Sequence, residues 1–311
     1  MILCVGTTPA LQRVMVFGKV TIDAVNRAAE TLDGVAGKSI NVATVLHALG
    51  EEPVAVGFIG GDRGEELKRT IETRGIETGF ISVTERTRQC ITVIDKSTVT
   101  QTELVEESKR VSPDAYDALL NLIRTHAKGC RAIVMSGTLT PQGPTDFYLQ
   151  CCQIAYENNA LAVVDAHGPA LLRSLEARPD LVKPNRAELG AMLGRDLVDE
   201  AETLKAMKEL IEQGAKNVVI TAGKSPALAL EGKRPWRISS PRIETINPIG
   251  SGDAFTAAVV WRLLLGDDLG QACRWGAASG AANALNLMAG EVKREDVERL
   301  LEDVKVEEMK A

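Results

Sequence analysis

The chain has 311 residues, 45% of them hydrophobic and 25% charged, which is enough apolar material for a large core. Its 42 Asp and Glu exceed its 36 Lys and Arg, and the formal net charge of -6 argues against a general nucleic-acid binder, because backbone-phosphate affinity is built on basic excess. The six cysteines form no CxxC pair and no His cluster accompanies them, so structural zinc is not expected; they read as small core residues in a reducing cytosol.

Read in chain order, MILCVGTTPALQRV lacks the positive head and long apolar stretch of a secretory signal and reads as a strand. Residues 10 to 33, with RVMVFGKV, continue in strand-like pattern, and a helix is expected over residues 39 to 49. VAVGFI then leads to a helix at 64 to 74, after which TGFISV, QCITVID and TVTQTEL fill residues 78 to 105 with no convincing helix between them. Further helices are expected at 113 to 127, 145 to 158, 186 to 193, 199 to 213, 254 to 265 and 268 to 287, alternating with the apolar runs AIVMSG, LAVVDA, LVKPN and NVVITAG. This alternation predicts a mostly parallel sheet with helices on both faces, while the strand-rich stretches at 10–33 and 78–105 predict a small second sheet able to close over a site. REDVERLLEDVKVEEMK reads as a final, partly frayed helix. The 254–265 helix is apolar but shorter than the ~20 residues a bilayer requires, so the chain reads as cytoplasmic, without a membrane partner.

Three motifs carry chemistry. Asn247-Pro248-Ile249-Gly250-Ser251-Gly252-Asp253 follows a strand-like RIETI and opens a helix with apolar Phe255, Val259, Val260 and Leu263. Glycines there turn backbone N–H groups into the space ahead of a helix, an anion site, and Asp253 beside them can take the proton of an attacking hydroxyl; the same Asp also suits an N-cap. Gly37-Lys38-Ser39-Ile40-Asn41 is a second turn running into a helix. It is not a Walker A loop, since Leu32 stands where that motif needs glycine, and Thr221-Ala222-Gly223-Lys224-Ser225 fails likewise at Val218. Third, Lys183-Pro184-Asn185 with Glu188 places an amide and a carboxylate on one helical turn, fit either to hold magnesium or to form a capping box. Arg27 and Arg88 fall in the expected small sheet, where an arginine can pair with a substrate phosphate or simply be solvated.

In this order the segments resemble the PfkB (ribokinase-like) family of carbohydrate kinases over residues 1 to about 300, and NPIGSGDAF and AGKSINVA look most like its 1-phosphofructokinase and tagatose-6-phosphate kinase branch. The resemblance implies a single kinase domain over 1–311 with a three-layer α/β/α fold and a small β lid often used in dimer contacts, and a sugar-phosphate substrate. It implies ATP and Mg2+ as cofactors. It places Asp253 as catalytic base and Gly250, Ser251 and Gly252 as the anion hole. Gly37, Lys38, Asn41, Arg88 and Ser136 with Gly137 fall at the substrate, and Lys183, Asn185, Thr221, Gly223 and Asn283 at the nucleotide. Glu188 completes the magnesium motif with Asn185.

Two departures bear on the sugar. Ala36 and Ser39 replace glycines of the GGKGxN substrate loop, and Gln12 stands where an Asp commonly binds sugar hydroxyls. The rival readings are a kinase of an unphosphorylated sugar or nucleoside, and a ligand-binding homologue that has lost activity.

Overall fold

The short apolar runs become strands covered on both faces, the condition under which parallel pairing is favoured. In the computed structural model, which describes residues 1–309, seven strands pair in parallel: β1 (Ile2–Gly6), β4 (Pro53–Ile59), β5 (Glu77–Ser82), β8 (Ala132–Ser136), β9 (Leu161–Asp165), β10 (Leu181–Val182) and β11 (Asn217–Ala222). Their order is β11-β10-β9-β8-β1-β4-β5. Antiparallel β12 (Ser225–Glu231), β13 (Arg234–Ser239) and β14 (Lys305–Glu308) extend the β11 edge.

Side chains alternate between two cores, as the two-residue period of a strand requires. Ile2 and Cys4 of β1 pack under α1 (Lys38–Ala48), α2 (Gly61–Thr73), α8 (Ser251–Leu264), α9 (Leu269–Ala284) and α10 (Arg294–Leu300). Leu3 and Val5 pack on the other face under α3 (Pro113–His126), α4 (Phe147–Glu157), α5 (Gly168–Ser174), α6 (Arg186–Leu193) and α7 (Glu200–Glu212). The expected three-layer α/β/α arrangement is thus present. All six cysteines are buried in it as free thiols.

A second sheet, β3-β2-β6-β7, is built from β2 (Ala10–Phe17), β3 (Glu30–Ala36), β6 (Arg88–Asp95) and β7 (Thr100–Val105). Val14, Val16 and Ile94 on its inner face close a small core with Met288, from the loop after α9.

Four expectations change. TGFISV does not join the lid: it is β5, whose Phe80 and Ile81 pack into the main cores. The acidic tail is α-helical to Leu300 and continues as a short 3-10 turn over Leu301–Asp303 before Val306 pairs with Ile238 in β14, and Lys310, the end of the expected helix, lies outside the described residues. RIETI is irregular, not a strand. Arg27 lies in the exposed loop between β2 and β3 rather than in the sheet. Among the described residues no helix is long and apolar enough to cross a membrane.

Candidate active site

Two helices that pack on each other begin without a side-chain cap. Gly37 precedes α1 at φ 112° and Gly250 precedes α8 at φ 84°. Both angles favour glycine, and a Cβ at Gly250 would come within 2.9 Å of the Ala289 Cβ. By contrast α3, α6, α7 and α9 each have a side-chain acceptor at the N-cap. At the α8 tip the N–H groups of Ser251 and Asp253 turn back on the carbonyls of Pro248 and Gly250, whereas, among the described residues, those of Gly250 and Gly252 have no protein acceptor. Two free donors at a helix N-terminus make an anion site. Ser251, also expected in the anion hole, braces the turn: its hydroxyl accepts from Asn283 Nδ2 at 3.2 Å.

Asp253 is not a cap, because Gly250 occupies that position. It lies in the first turn of α8, 6% exposed, and its Oδ2 accepts from Asn41 Nδ2 at 2.7 Å. Burial pushes its pKa up to about 6; Lys38 opposes this and the negative charge of Asp165 adds to it.

A buried carboxylate that the motifs do not single out organises the rest. Asp165 ends β9, where it accepts the Thr256 hydroxyl at 2.6 Å and lies 3.2 Å from Lys183 Nζ and 3.5 Å from Lys38 Nζ. Burial alone would raise its pKa, but Lys183, Lys38 and Thr256 outweigh burial and hold it below the usual carboxylate range. Asp165 in turn is the main reason Lys38 is held firmly charged. Lys183 Nζ also lies against Gly252, 3.7 Å from where a Cβ would stand, so this ammonium group flanks the glycine turn.

Glu188 Oε1 lies 3.8 Å from Lys38 Nζ. Asn185 and Glu188 form a full capping box on α6: Asn185 Oδ1 accepts from the Glu188 amide and Glu188 Oε2 from the Asn185 amide, each at 2.8 Å. Each oxygen of the expected Asn–Glu metal pair thus has a protein partner, with Glu188 Oε1 facing Lys38 and Asn185 Oδ1 keeping a second lone pair. Among the described residues no group of three or more His, Cys, Asp or Glu is placed to hold a metal ion. That donor set fits an ion coordinated mostly by water and phosphate oxygens.

Of the remaining expected residues, Ser136 is buried with its hydroxyl unpartnered, and Gly137 packs against the Lys38 side chain. Gln12 is buried in the lid, where Nε2 donates to Thr92 at 2.5 Å and Oε1 is unpartnered. Arg88 donates to the Thr8 carbonyl at 3.1 and 2.9 Å and lines a small cleft with Gly60, Lys109 and Thr140. Thr221 bridges Asn185 through the backbone, and Gly223 forms an exposed turn beyond it. Asn283, expected near the nucleotide, is fully buried and braces loops, donating to the Ile249 carbonyl and accepting from the Gly290 amide.

Residues 1–294 match the model described as pfkB family carbohydrate kinase. The chain belongs to this family. Among solved structures, a possible 1-phosphofructokinase from Thermotoga maritima is similar at TM-score 0.91 and 25% identity over 99% of both chains. Phosphofructokinase-2 from Escherichia coli is similar at TM-score 0.88 and 25% identity over 97% of both chains. Arabidopsis thaliana ribokinase shares the fold at TM-score 0.75 and 19% identity, over 96% of this chain and 97% of its own. This pfkB kinase is therefore a phosphotransferase whose acceptor is an alcohol group of a carbohydrate.

Proposed function

We propose that the chain is one catalytic domain, residues 1–311, that moves the γ-phosphoryl group of ATP onto a hydroxyl of a sugar phosphate of the 1-phosphofructokinase or tagatose-6-phosphate kinase type. The observation that carries this is a buried carboxylate, Asp253, in the same first helical turn as the two free amides of Gly250 and Gly252. Asp253 accepts the hydroxyl proton as the oxygen attacks, Asn41 orients the carboxylate, and the amides with Lys38 and Lys183 bind the phosphoryl oxygens. Glu188 with Asn185 would hold Mg2+, which when bound would neutralise phosphate charge.

Support for a phosphorylated acceptor comes from Arg88 and from the similar phosphofructokinase-2, which has been crystallised with fructose 6-phosphate. Arg27, exposed near the lid, is a further candidate for the same phosphate. A second reading, a neutral sugar or nucleoside acceptor, is favoured by Gln12, an uncharged amide facing no other protein donor. We also propose a homodimer through the lid, whose loop and edge expose Ile22, Val25 and Leu104 at 88%, 80% and 55%.

A coupled ADP-release assay over a panel of sugar phosphates, neutral sugars and nucleosides tests the reading. Asp253→Ala should lower kcat by three or more orders of magnitude, on the order of what a removed base costs, while ATP still binds. Arg88→Ala should raise KM for the sugar phosphate about tenfold or more, the loss of a charge-assisted pair. A flat response there selects the neutral acceptor.

A further inference from the structure

Asp165 is 1% exposed, and its carboxylate has no place in the proton or phosphoryl path proposed above. Oδ2 meets Thr256 and Lys183, and Oδ1 faces Lys38 without a hydrogen-bond partner. The carbonyl oxygen of Asp165 accepts from the Gly137 amide at 2.9 Å. One residue therefore ties together the start of α1, the 136–137 turn, the Lys183 segment and the first turns of α8. Lys183 is itself only 4% exposed, and a buried ammonium without a counter-charge is costly. Lys183 Nζ stands beside Gly252 and Lys38 Nζ faces Asp165 and Glu188, and among the described residues Asp165 is the one carboxylate within 4 Å of both ammonium groups.

We propose that Asp165 is a positioning residue for phosphoryl transfer, holding Lys38 and Lys183 in register with the glycine turn of α8. The proposal rests on Asp253 being the base, and it extends to the pH dependence of that group. Asn41 and Lys38 from α1, Lys183 ahead of α6 and Asp165 from β9 are the groups that face Asp253. Neutralising Asp165 removes a like charge, leaves Lys183 without its ion-pair partner and leaves Lys38 with Glu188 alone. These changes favour ionised Asp253, so the acid limb of the kcat/KM profile moves to lower pH.

Asp165→Asn keeps the shape and an acceptor for Thr256 while removing the charge. The expected result is a fall in kcat of about 30-fold or more, typical of lost electrostatic preorganisation, with the acid limb displaced to lower pH. Thr256→Val removes the hydroxyl alone, and should lower Tm while leaving the limb in place. Near-native kcat in Asp165→Asn, or a reduced kcat with an unmoved limb, overturns the proposal. Asp253→Asn run in parallel separates the two claims: activity there rejects the base, whereas inactivity there with an unmoved limb in Asp165→Asn rejects only the positioning role. Should Asp165→Asn not accumulate as folded protein, adding Lys183→Met removes the uncompensated ammonium and should restore folding; a double variant that stays unfolded also overturns the proposal.

Discussion

Asp253 carries a pH signature. If the carboxylate is the proposed base, its pKa, raised to about 6 by burial, means that kcat/KM should climb through about pH 6 and level off beyond it. The stability consequence has the opposite sense. A carboxyl whose pKa is higher folded than unfolded favours the fold in acid and penalises it once ionised, so Asp253→Asn should raise Tm at pH 8 and leave it nearly unchanged at pH 4. Thermal melts at the two pH values check this, and a variant less stable than wild type at pH 8 contradicts it. Asp253 was legible in the sequence because glycines and a carboxylate stand together in NPIGSGDAF. Asp165 was not, because it appears as a lone Asp after a strand, and its partner Thr256 is 91 positions away. Asn185 and Asn283 show what the letters do not give: each also makes hydrogen bonds to neighbouring amides or carbonyls that hold the local fold.

At the scale of the element, the starts of α1 and α8 hold the site because glycine leaves their first turns without a side-chain acceptor. Gly250→Ala forces a side chain into φ 84° and towards Ala289, which should cost roughly 1–3 kcal/mol and reduce kcat with it. Ser251→Ala leaves both free amides untouched and should change kcat less than about fivefold, because it removes only a brace from Asn283. Denaturant melts and steady-state kinetics on the pair check the ordering, and equal kinetic losses would refute the assignment of Gly250 and Gly252 as the donors. The helices and central strands follow from periodicity within a few residues of their ends. The misplacements came from pairing, which periodicity does not encode: β5 reads like its lid neighbours yet pairs along the whole of β4, and β14 alternates too briefly in KVEE to stand out from a charged helix.

For the molecule as a whole, the open question is how the lid and the kinase body act together. Met288 of the body is the wedge beneath Val14, Val16 and Ile94, so Met288→Ala should cost about 2–4 kcal/mol of lid packing. It should raise KM for the sugar more than KM for ATP, and faster hydrogen exchange of β2 and β6 amides with β1 and β8 unaffected is the measurement that checks it. The two-sheet division was legible in the sequence as strand runs without intervening helices; the wedge was not, since Met288 sits in a loop far along the chain. Its neighbours give that loop a further meaning. Met288 touches the lid, Ala289 stands against Gly250, and Gly290 lies against Asn41. Three adjacent residues thus form a strut between the small sheet, the Gly250 turn and Asn41, so that any displacement of that sheet against Met288 should be passed to both.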